Sequence, residues 1–136
     1  MSDRAKHIRA IPLFTGLPDP TIERIAEVTT RVEVPAGQVL IRQGQPGSGL
    51  LIVEEGTVVV ERSGRDPIEL GPGEFLGELA LLIPEGVHTA RVRATSSSFL
   101  LAVGRQEFQD LLEEEPRIAV AMLPVLAERL VGLYGD

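Results

Sequence analysis

The chain has 136 residues, enough for one domain of ordinary size. It carries 13 Lys and Arg against 20 Asp and Glu, a formal charge of −7, which disfavours unaided binding to a nucleic-acid backbone or an anionic membrane. There is no cysteine, so disulfides, thiolate metal sites and thiol nucleophiles are excluded, and His7 and His88 are too few for an imidazole-built metal site.

No stretch approaches the ~18 apolar residues of a membrane span. The first ten residues carry charges throughout and lack the apolar run of a signal peptide, so the expected setting is the cytoplasm, with no membrane partner. The 14 glycines and 10 prolines are spread along the chain, which suits many short strands joined by tight turns.

In chain order, a short helix is expected through Ala5–Arg9. A second starts at Asp19-Pro20, with Asp19 as N-cap and Ile22, Ile25, Ala26 and Thr29 on its buried face. The period then changes to two. Val32 and Val34 alternate with Arg31 and Glu33, and Val39 and Ile41 follow the Pro35-Ala36-Gly37 turn. Leu50–Val53, Thr57–Val60 and Pro67–Leu70 are the next strands, separated by Gly56 and by Ser63-Gly64-Arg65-Asp66. Thr89–Ala94 and Ser97–Val103 complete a β region of about residues 31–103. After Gly104, Phe108, Leu111 and Leu112 share a helical face. Ile118, Ala119 and Met122 begin another, and Pro124 inside it predicts a kink or a break. One domain spanning 1–136 is expected, a small β-barrel with helices at about 5–29 and 105–134.

Gly71-Pro72-Gly73-Glu74-Phe75-Leu76-Gly77-Glu78-Leu79-Ala80-Leu81-Leu82 is where chemistry is expected. Two glycine turns run into a helical turn at Glu78–Leu82, whose free N–H groups would face an anion. A carboxylate beside them can accept from sugar hydroxyls, and His88-Thr89 adds a candidate cation and a hydroxyl. A tight barrel corner is the plainer explanation of the glycines, and Glu78 could equally serve the helix dipole.

The run Gly73–Leu82, followed by Thr89-Ala90-Arg91-Val92-Arg93-Ala94, resembles the phosphate-binding cassette of the cyclic-nucleotide-binding domain family. Pro12-Leu13-Phe14 and Leu17, Val34–Ile41 with Gln43-Gly44, and Ile52–Val58 are similar to other parts of that family. The resemblance runs from about Ile11 to Leu130. It implies a mainly β fold, an eight-stranded jelly-roll barrel (double-stranded β-helix) with N- and C-terminal helices. It also implies a pocket for cyclic AMP or cyclic GMP as regulatory ligand, with no other cofactor. By the same resemblance Glu78 accepts the ribose 2′-hydroxyl, and backbone groups of Gly77 and Ala80 line ribose and phosphate. Thr89 bonds the cyclic phosphate, and Phe75, Leu79 and Ala90 belong to the same ligand-binding segment. The C-terminal helix would cover the base and signal to a protein partner or a second copy.

One position departs from the pattern. The family places arginine immediately before the Thr/Ser-Ala pair, and here His88 stands there. Arginine is always charged and grips phosphate with two parallel bonds, whereas imidazole is neutral half the time near pH 6.5 and gives one. The loss is worth roughly 1.5–3 kcal/mol in a partly desolvated pocket. Arg91 either compensates or is a solvated strand residue, and His88 either contacts phosphate or is a surface-loop histidine. Ser96-Ser97-Ser98 reads as a turn, because nothing is placed to activate a nucleophile. Glu54-Glu55 and Glu113-Glu114-Glu115 are solvated charges. The expectation is a non-enzymatic sensor of a cyclic nucleotide, with no catalytic or metal residues. The alternative is a degenerate member of the fold that serves as an interaction or dimerisation domain. A DNA-binding regulator would need an element beyond the C-terminal helix, so direct nucleic-acid binding is not expected unless the chain is a fragment.

Overall fold

The computed structural model describes residues 2–47, 49–78, 82, 86 and 88–134, without the side chains of 133 and 134. It has two compact units: residues 28–108, and residues 1–27 together with 109–136.

The first unit is built from β1 (Thr29–Val34), β2 (Val39–Ile41), β3 (Gly49–Glu55), β4 (Val58–Glu61), β5 (Ile68–Leu70), β6 (Phe75–Leu76), β7 (Arg91–Ala94) and β8 (Ser98–Gly104). They form two four-stranded antiparallel sheets, ordered β1-β8-β3-β6 and β2-β7-β4-β5. This is a jelly-roll order, in which each chain crossover moves from one sheet to the other. One apolar cluster draws a residue from every strand: Val34, Ile41, Val53, Val58, Leu70, Leu76, Val92, Ala94 and Leu100. The faces that period-two alternation turns inward therefore meet in one core.

The second unit is helical, with α1 (Asp3–Arg9), a 3-10 turn at Pro12–Phe14, and α2 (Asp19–Val28). Two further helices follow β8: α3 (Arg105–Glu114), which starts in the β unit, and α4 (Arg117–Tyr134). Ser2 caps α1 by accepting from the Ala5 amide at 3.1 Å. Ile8, Ile22, Ile25, Ile118 and Met122 are buried. Arg24 grips Glu114 through two bonds of 3.2 Å, tying α2 to α3. No helix among the described residues is long and apolar enough to cross a membrane.

Several boundaries differ from the sequence reading. Asp19 is the first helical residue rather than the cap, because the Pro18 carbonyl already accepts from Ile22. Thr29, expected on the helix face, opens β1 opposite Val103. Val32 was expected to face the core with Val34 but is 36% exposed, while Val34 on the same strand is buried. Thr89 and Ala90 precede β7 rather than belonging to it. Phe75-Leu76, which none of the expected strands includes, forms β6 because β3 pairs with it through Ile52 and Leu51. α4 does not break at Pro124. The expected helical turn from Glu78 to Leu82 lies largely outside the described residues.

Candidate ligand site

The site grows from the end of β6. Leu76 points into the core, and the chain turns at Gly77 with φ +89°. A Cβ there would lie 3.0 Å from the Gly49 carbonyl oxygen and 3.7 Å from both the His88 ring and the Ile41 side chain. Only glycine adopts this conformation at no steric cost, and a Cβ would press on the Gly49 carbonyl while meeting His88 and Ile41 at ordinary contact distance. Glu78, the next residue, is 4% exposed. A carboxylate so buried is a feature to be explained by its surroundings.

His88 belongs to the same neighbourhood. Burial lowers its pKa from the ordinary value of 6.5, and the nearby Glu78 carboxylate partly offsets that by favouring the charged ring. Its backbone is fixed to the segment between β2 and β3. The Gly44 amide donates to the His88 carbonyl, and the His88 amide to the Gln45 carbonyl, each at 2.8 Å. His88 lines a cavity of about 240 Å³ with Leu40, Ile41, Gln45, Leu50 and Leu51. Pro46, Gly49, Ala102, Val103 and Gly104 complete the wall. Most of the lining residues are apolar, and Gln45 and His88 add polar side chains. Such a cavity suits a ligand with both apolar and polar parts.

Three sequence candidates thus lie close together, Gly77, Glu78 and His88, and of these His88 alone lines the cavity. Phe75 is buried in β6 beside Ile52, on the strand face alternate to Leu76, and does not line the cavity. Thr89 is exposed and Ala90 half-buried. Leu79 and Ala80 lie outside the described residues. Arg91 sits on the outside of β7, where it shares the Glu61 carboxylate with Arg93 at 3.0 and 3.4 Å. It is therefore a solvated strand residue and no substitute for a pocket arginine. Sequence reasoning does not find Gln45 and Pro46, which read only as a turn. Their proximity to His88 is created by backbone pairing across more than forty positions, which leaves no local signal.

A family model described as "Cyclic nucleotide-binding domain" matches residues 31–115. The chain belongs to that family. A cyclic nucleotide-gated potassium channel of Mesorhizobium japonicum is 37% identical over 122 residues, covering 90% of this chain and 34% of the channel. The catabolite activator protein of Thermus thermophilus matches with a TM-score of 0.77 and 32% identity, over 90% of this chain and 59% of that one. The N-terminal domain of a transcriptional regulator from Streptomyces coelicolor matches over 94% of both chains, with 34% identity and a TM-score of 0.69. The cyclic nucleotide-binding domain described here thus spans about a third of the channel's length.

Proposed function

We propose that this domain is a regulatory module, without catalytic or metal residues, whose ligand is cyclic AMP or cyclic GMP. The observation that carries this reading is the clustering of Gly77, buried Glu78 and His88 at a cavity that His88 lines. In this reading Glu78 accepts the ribose 2′-hydroxyl, and Gly77 and Ala80 present backbone groups to ribose and phosphate. His88 and Thr89 bond the cyclic phosphate. Phosphate affinity is modest, because a histidine whose pKa is lowered is mostly neutral at pH 7. The family and its channel and activator relatives support this ligand class. Calorimetric titration of the wild type and His88→Arg with both nucleotides tests it. Binding by neither, with both proteins folded, ends this reading.

A second reading is an interaction domain without nucleotide binding, in which α4 mediates self-association. Val120, Leu123, Leu130 and Val131 are all more than half exposed on one side of α4, opposite the buried Ile118 and Met122. Val120, Leu123 and Leu130, spaced by three and seven, match a helix-pairing seam with Val131 beside it, which a second copy of the same helix complements. Sedimentation of the wild type against Leu123→Glu/Leu130→Glu tests it, and identical masses would remove it. The setting proposed for either reading is the cytoplasm.

A further inference from the structure

The segment between β2 and β3, residues 42–47, is tied on two sides. Towards the cassette, the two bonds between Gly44, Gln45 and His88 are joined by a third, from the Gly47 amide to the Gly86 carbonyl at 3.3 Å. On the other side the ladder between β3 and β8 ends at the Gly49–Gly104 pair. Immediately beyond it, Arg105, the first residue of α3, donates through Nη1 to the buried Gly47's carbonyl at 3.1 Å. Gln45 and Pro46 of the segment, Val103 and Gly104 before α3, and His88 all line the cavity.

We propose that Arg105 is a positioning residue for ligand binding: its bond to Gly47 latches segment 42–47, and with it the His88 ring, against the cavity. This rests on reading the cavity as part of the cyclic-nucleotide site. The reasoning is mechanical. His88 is held to the segment by two short backbone bonds, so a segment that swings outward carries the ring with it. A charged donor to a buried carbonyl is a stronger tie than a neutral one. Loss of the latch lets water reach the imidazole, which burial now disfavours in its charged form against the pull of the Glu78 carboxylate.

The test uses Arg105→Gln and Arg105→Lys in the full chain. Three measurements are made: cyclic AMP dissociation by stopped flow, the imidazole titration of ligand-free protein by NMR, and thermal unfolding. Arg105→Gln should release cyclic AMP about tenfold faster and return the His88 titration towards its ordinary value. Arg105→Lys, which keeps one charged donor for the one carbonyl, should restore both. A Gln variant with wild-type dissociation and wild-type titration overturns the latch. So does a folded Lys variant with a fully exposed-like titration, which keeps the idea testable if the Gln variant fails to fold. If neither the wild type nor His88→Arg binds nucleotide, the pocket reading falls, while the titration still decides whether Arg105 holds His88.

Discussion

The His88 amide donates to the Gln45 carbonyl at 2.8 Å, which ties the one titratable ring of the cavity to the segment that follows β2, the strand paired with β7. The ring is half-buried, and desolvation is the largest influence on its proton affinity. Its folded pKa lies below the unfolded value of 6.5. Between those two values the unfolded chain binds more protons than the native one. The His88 contribution to stability is therefore present above about pH 6.5 and lost as the pH falls through the folded value. Urea unfolding should show stability decreasing below pH 6.5, and His88→Gln should remove that part of the slope. An unchanged slope in the variant would mean that other groups cause it.

The same protonation acts in the opposite sense on the ligand. A cyclic phosphate diester stays singly negative, so only the protonated ring attracts it. Affinity for cyclic AMP should rise as pH falls from 8 towards 6, with most of the gain below 6.5, because the free ring's pKa is lowered. His88→Arg should bind about ten- to a hundred-fold more tightly and without this pH dependence. Calorimetry at three pH values checks both.

Glu78→Ala should weaken cyclic AMP by about 1.5–3 kcal/mol, the range of a hydrogen bond to a charged group. Arg91→Ala should change it by less than about twofold. Its guanidinium is engaged with Glu61 at the solvent-exposed surface, away from the cavity lining. Equal losses in the two variants would contradict the placement of both residues.

Gly77→Ala should cost stability and affinity together. The backbone stands at φ +89°, for which an L-residue pays about 1–2 kcal/mol, and the added methyl presses on the Gly49 carbonyl at 3.0 Å. Gly56→Ala should be worse for stability alone. Its Cβ would meet the side chain of buried Ser98, with the Ser97 carbonyl oxygen at 2.8 Å, at φ +93°. Denaturant midpoints and nucleotide titrations of the two variants separate these outcomes.

The sequence by itself determined the order of elements and the class of the fold. Strand periodicity and glycine punctuation are local signals. They placed β2 to β5 and β8 within a residue or two, and the helices on either side. It also marked Gly77, Glu78 and the histidine in the arginine position, because a cassette motif is contiguous in the chain. Tertiary structure decided the rest. Val32 is exposed while Val34 on the same strand is buried, and Phe75-Leu76 became a strand by pairing with β3. Arg91 was assigned to the outer surface by a carboxylate thirty residues away. The cavity joins residues 40–51, 88 and 102–104, and the latch joins 47 to 105. Hydrogen bonds between segments so far apart depend on which strands lie next to each other, and no periodicity or local propensity encodes that adjacency.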